Sequence, residues 1–169
     1  DLCRDVLGLS PDTVLLYADG EPVTAELFGR QLAASLLQWG RNSTRQALQD
    51  AIRSWAVYSQ SYFTLAEQLG VSLSGQQLAD ARKSAQEEAG YLGGSETYAL
   101  RAGERIRLDA LLEARYQELS GDKAGTLYYH QALADAAGGI RAEPAAALNA
   151  LDLDAVLARA ARSPLAFAF

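Results

Sequence analysis

Thr44–Leu78 reads TRQALQDAIRSWAVYSQSYFTLAEQLGVSLSGQQL, and the reading of this stretch decides the fold. Leu48, Ile52, Trp55, Ser59, Tyr62, Ala66 and Leu69 recur in steps of four and three. That is one face of an α-helix held for about six turns. Ala51, Tyr58 and Leu65 widen the face on one side, and Ala56 and Phe63 flank it on the other. A helix apolar over so much of its surface needs several neighbours. Gly70 is positioned to end it, because glycine tolerates the left-handed conformation of a C′ residue. Ser74 is positioned to cap the next helix.

The rest of the chain reads outward from there. Of 169 residues, 49% are hydrophobic and 21% charged, a globular balance. The four prolines, Pro11, Pro22, Pro144 and Pro164, lie near the two ends, so no proline interrupts the middle. The expected fold is mainly α: about six helices with a small β hairpin near the N-terminus, joined by a short C-terminal strand. Residues 1–12 read as a lead-in, 13–162 as a single helical domain and 163–169 as a frayed tail. Val14–Tyr17 favours a strand and Asp19-Gly20 a hairpin turn, with Glu21–Val23 returning as an edge because of Pro22. Thr24 offers an N-cap to a helix ending near Trp39 and Gly40. A helix from Ser74 uses Leu78, Ala81, Ala85 and Ala89, and Gly90–Gly94 breaks it. A further helix over 95–119 turns Tyr98, Ala102, Leu108, Leu112, Tyr116 and Leu119 inward. Another follows from Asp122 to Ala137. Ile140–Glu143 then reads as a strand returning to the only free strand edge, that of the hairpin. Asp152 caps the last helix, ending near Arg162.

The net charge of −6 disfavours nucleic acid, whose phosphates an acidic surface repels. Cys3 is the only cysteine, so no internal disulfide forms; it lies in the lead-in, where order is expected to be poor, and the preceding Leu2 argues against lipidation. The sequence holds no methionine, which points to a processed or omitted upstream segment, such as a signal peptide or membrane anchor.

Chemistry-bearing patterns are sparse. His130 is the only histidine, with no serine or cysteine in a nucleophile setting. One histidine, one cysteine and no acidic loop give no recognisable metal site, and no cofactor motif occurs. Glu87-Glu88 reads as a solvated pair. Gly90–Gly94 reads as an interhelical turn or the rim of a groove. Trp39, Trp55, Tyr58, Tyr62 and Phe63 point in too many directions for one seam. Part of that set is expected to line a groove or exposed patch that binds polypeptide.

Two motifs carry a family resemblance. Asp19, Gly20, Val23 and Thr24, then Ala66, Leu69, Gly70, Val71, Leu73, Ser74 and Leu78, make the chain over roughly residues 13–120 similar to the N-terminal chaperone region of SurA- and PrsA-type foldases. The resemblance implies an exported or membrane-anchored chaperone that binds unfolded or assembling polypeptides. Family members often carry a parvulin prolyl-isomerase domain; the single helix before Gly138-Gly139 leaves no room for one. The expectation is therefore a non-catalytic, extracytoplasmic domain without a cofactor, its membrane contact limited to an upstream anchor. Two alternatives stay open: an assembly protein using the aromatic face as a homodimer or partner interface, and a prolyl isomerase with an unrecognised site.

Overall fold

In the computed structural model, which describes residues 3–27, 45–92, 96–121, 124–160 and 162, the opening stretch folds as one 25-residue helix, α1 (Arg45–Leu69). Its end is a Schellman motif. Gly70 has φ +63°, its N–H donates to the Glu67 carbonyl at 3.1 Å, and the Val71 N–H reaches back to the Ala66 carbonyl at 2.8 Å. Val71 then packs among the residues that α1 itself buries. Ser74 and Gln77 form a reciprocal capping box at the start of α2 (Gly75–Leu92): Gln77 N–H donates to Ser74 Oγ at 3.2 Å, and Ser74 N–H donates to Gln77 Oε1 at 2.9 Å. The motif thus stops one helix and starts the next within five residues.

Two further helices, α3 (Glu96–Ser120) and α4 (Ala124–Gly139), complete the helical layer. The seam between α2 and α3 is built from small residues, with Ala81, Ala85 and Ala99 buried and Gly103 facing Ala81. Helix α2 ends at Leu92, within the Gly90–Gly94 stretch expected to break it; Gly90 itself stays helical, since one glycine weakens a helix by only about 1 kcal/mol.

At the other end of α1 sits a three-stranded antiparallel sheet of order β2-β1-β3: β1 (Val14–Ala18), β2 (Glu21–Thr24) and β3 (Ala142–Pro144). Asp19 and Gly20, with φ 52° and 82°, make the hairpin turn. Pro22 and Pro144 both lie on outer strands, where a missing N–H costs no ladder bond. The register shifts between Val14 and Leu16, and this irregularity lets two consecutive residues, Leu15 and Leu16, face the core while Tyr17 faces out. The returning strand is locked at its start by Asp19, whose N–H donates to the Arg141 carbonyl at 2.7 Å and whose Oδ1 accepts from Arg141 N–H at 2.8 Å. Thr24 Oγ1 accepts from Leu27 N–H at 3.3 Å, the expected cap of a helix that begins at Ala25. The expected end of that helix near Trp39 lies outside the described residues.

The chain closes with two short helices, α5 (Ala146–Asn149) and α6 (Leu153–Ala160). Asp152 Oδ1 caps α6, accepting from Ala155 N–H at 3.0 Å. Helix α5 had no counterpart in the expected element order.

The N-terminal residues differ most from expectation. Cys3–Leu7 forms a π-helical turn, and Cys3, Val6 and Leu7 are all buried. Arg159 of α6 holds the turn, donating from Nε to the Val6 carbonyl at 2.8 Å and from Nη2 to the Leu7 carbonyl at 3.1 Å. The expected poor order at Cys3 is therefore corrected: three apolar side chains and two buried carbonyls find partners in the C-terminal segment.

Two clusters of buried residues divide the interior. The first joins the N-terminal turn, the sheet and the C-terminal segment to Ile52 and Ala56 of α1. The second joins Tyr62, Leu65 and Ala66 of α1 to Leu108 and Leu112 of α3 and Tyr129 and Ala136 of α4. Helix α1 is the shared wall of both. Leu119, expected inward, is exposed. Trp55 meets Tyr98, and Tyr62 meets Arg105, at the same sequence offset. At that offset the end of α1 at Leu69 falls beside Leu112. Leu119 lies two turns beyond its packing partner, on the right stripe but past the end of the wall.

Candidate functional site

The aromatic surplus of α1 meets α3 where the two clusters change over. Trp55, Tyr58, Ser59 and Phe63 from α1 and Tyr98, Arg101, Ala102 and Arg105 from α3 line a shallow hollow of about 60 Å³. Helical spacing brings each set onto one face: steps of three and four join Trp55 to Phe63, and Tyr98, Arg101 and Ala102 to Arg105. The volume is room for a few water molecules or the tip of one side chain, too small for a nucleotide or flavin.

The hollow is faced by stacked rings and cations. Trp55 and Tyr98 lie nearly parallel, centroids 6.1 Å apart with 16° between planes. The Arg101 guanidinium sits 3.2 Å from the centre of the Phe63 ring and donates to Gln60 Oε1 at 3.0 Å. Its ion pair with Glu104 is long, at 3.9 Å. Burial lowers the Arg101 pKa from its ordinary value, against the opposing pull of Glu104 and Glu21. Arg105 lies 5.6 Å from the Tyr58 ring centre and 5.2 Å from that of Tyr62. Both geometries fit attraction between a cation and a ring face.

Beneath the hollow a phenol pair continues into the helical core. Tyr58 and Tyr62 share a hydrogen bond of 2.6 Å between hydroxyls, their rings edge to face. Burial and this bond raise the Tyr62 pKa above the ordinary phenol value. Deeper still, Tyr129 donates to Asp109 Oδ1, and burial and that bond raise its pKa also. Among the described residues no buried side-chain nitrogen or oxygen lacks a hydrogen-bond partner, so this polar strand through the core is satisfied.

The five expected contact residues separate accordingly. Trp55, Tyr58 and Phe63 line the hollow, with Tyr58 50% exposed and the other two half-buried. Tyr62 is buried at 4% and supports Tyr58 from below, so it is a core residue and not a surface contact. Trp39 lies outside the described residues. Tyr98, Arg101 and Arg105 were not singled out. The signal lies in the spacing: Tyr98 and Ala102 share an inward face, and Arg105 falls on that same face three residues on.

His130 is exposed, its ring 5.5 Å from that of Tyr129. Among the described residues no group of three or more His, Cys, Asp or Glu side chains could hold a metal ion, and no helix is long and apolar enough to cross a membrane. In comparisons with known proteins, no family model, curated protein or solved structure matches the chain. The foldase resemblance accordingly rests on its sequence motifs.

Proposed function

We propose that this chain is a non-catalytic, extracytoplasmic chaperone-like domain that holds unfolded or assembling polypeptides at the α1–α3 hollow. The observation that carries the reading is the half-exposed Tyr58 ring set among the half-buried Trp55, Phe63 and Tyr98 and faced by two arginines. Tyr58 is half out of water. Covering its exposed half removes on the order of 100 Å² from water, a gain of roughly 2 kcal/mol before the client's ordering cost. Such a contact is weak alone and fits transient holding. The extracytoplasmic location follows from the foldase resemblance. The same reading expects no catalysis: a proline-peptide isomerisation assay should run at its uncatalysed rate with this chain present.

The test is light scattering from a chemically unfolded, reduced client diluted into buffer with and without the chain. Holding predicts slower aggregation, and Tyr58→Ser should weaken the effect, with circular dichroism checking that the fold survives loss of the Tyr58–Tyr62 hydrogen bond. No effect at a several-fold excess of the chain would sink the reading. Exposed Ile106, Leu119, Leu127 and Tyr128 on α3 and α4 favour a second use, assembly with a partner or a second copy. A dimer whose mass is independent of concentration and which removes Tyr58 from solvent would replace the open hollow with an interface.

A further inference from the structure

Arg105 is the residue that the holding function does not yet explain. Among the described residues its guanidinium donates no hydrogen bond and makes no ion pair; it lies over the faces of Tyr58 and Tyr62. A guanidinium carries five N–H donors in a plane, and contact with a ring face leaves the edge of that plane open to an acceptor. Arg101, one turn away on the same wall, uses a donor on Gln60 and holds Glu104 only at 3.9 Å. Two half-buried cations therefore face one hollow: Arg101 is paired at long range with Glu104, and Arg105 makes no ion pair among the described residues. The chain as a whole carries −6, and Glu104, Glu21 and Asp109 act near the two arginines, so the attraction for an anion is confined to the open donors of Arg105.

We infer that the hollow selects client segments carrying a glutamate or aspartate beside an apolar side chain. The inference rests on the holding function proposed above and names the class of polypeptide held. The carboxylate meets the open edge of Arg105, with Arg101 beside it, and the neighbouring apolar side chain lies on the Trp55–Tyr98 stack. Charge complementarity chooses this occupant over a purely apolar one. Burial lowers the proton affinity of Arg101 through loss of solvent, and an arriving anion restores what the lost water supplied. The small volume suits one carboxylate-tipped side chain. Recognition is short-range: the negative field of the whole chain gives an acidic client no steering, so the preference shows in slower dissociation.

The experiment uses two fluorescein-labelled peptides of identical sequence except that the glutamate between two leucines in one is glutamine in the other. Fluorescence anisotropy against the full chain should show the glutamate peptide binding about tenfold tighter, the yield of one charge-assisted hydrogen bond. Arg105→Gln should abolish that difference between the two peptides, with circular dichroism confirming the fold. The comparison on the unaltered chain needs no variant, so it decides the matter even if Arg105→Gln fails to fold. Equal binding of the two peptides overturns the carboxylate preference and leaves the holding function standing. Binding of neither, together with no effect on client aggregation, overturns both.

Discussion

Two glycines on the helical layer allow the packing to be tested with substitutions that differ only in what a new methyl group meets. A Cβ at Gly125 would lie 2.6 Å from Gln117 Cα, 2.8 Å from Gln117 N and 2.7 Å from Ser120 Oγ. Two of these atoms are backbone of the neighbouring helix, so no side-chain rotation relieves the collision. The start of α4 would have to move off α3 by most of an ångström, disturbing the Thr126–Glu113 hydrogen bond of 3.0 Å next to it. Overpacking of this kind costs about 1–3 kcal/mol. Against it stands the helix preference of Ala over Gly, at most about 1 kcal/mol in a helix interior and less in a first turn. The clash wins, and Gly125→Ala should destabilise by about 1–2 kcal/mol. Gly103 inverts the balance. Its Cβ would meet Arg107 Nη1 at 3.4 Å and Ala81 Cβ at 3.8 Å, ordinary contacts with a flexible tip and a methyl group, in mid-helix. Gly103→Ala should stabilise by about 0.5–1 kcal/mol. Urea unfolding followed by circular dichroism gives both values from midpoints at a common slope. If Gly125→Ala raises the midpoint as much as Gly103→Ala does, the close approach of α3 and α4 is refuted.

Three further outcomes follow from other parts of the molecule. Arg159→Met keeps the aliphatic stem but removes the donors to the Val6 and Leu7 carbonyls, and should cost about 1.5–3 kcal/mol; an unchanged urea midpoint would show that the N-terminal turn does not depend on it. Cys3 is buried, and that burial, aided by Glu26, raises its pKa, so native alkylation by iodoacetamide at neutral pH should be slow and should accelerate in Arg159→Met. The Tyr62 and Tyr129 phenols keep their protons above the ordinary value of 10.0, so the folded state binds protons that the unfolded state releases. Stability from both is fully present below pH 10 and is lost as pH rises beyond it. Urea midpoints should fall steeply from pH 10 upward, and less steeply in Tyr129→Phe; a slope identical in the variant would contradict the burial of that phenol.

The fold was legible where local chemistry and long-range need agreed. Asp19-Gly20 set the hairpin, Ser74 set a helix start, and Ile140–Glu143 read as a strand returning to the free edge of that hairpin. Mainly helical architecture and the closing strand follow from such features. The N-terminal turn was not legible because its partner, Arg159, lies some 150 residues away and its bonds are to backbone carbonyls, which carry no sequence signature. The hollow was half legible. Trp55, Tyr58 and Phe63 stood out as an aromatic excess, but the pattern on α1 alone could not separate Tyr62, which faces Arg105 and the core, from Tyr58 one turn earlier. Arg101 and Arg105 were missed because arginines on a helix are ordinarily solvated, and only the pairing of α1 with α3 places them over rings.

That pairing also explains why the aromatic residues gather where they do. Ile52 and Ala56 serve the cluster beneath the sheet, and Tyr62, Leu65 and Ala66 serve the cluster among the helices. Trp55, Tyr58, Ser59 and Phe63 fall between and beside these two sets on the same helix. A wall shared by two cores must pass through a stretch that neither core covers fully, because the sheet and the α3–α4 pair approach α1 from opposite ends. Small polar residues would suffice there if the stretch only bridged the cores. Large rings in that place leave apolar surface facing water, and the chain meets part of it with cations from α3, which bury ring faces while keeping donors at the rim. A purely structural bridge has no use for the open donors of Arg105 beside the half-exposed Tyr58 ring, which is why the holding of polypeptide is proposed at this place.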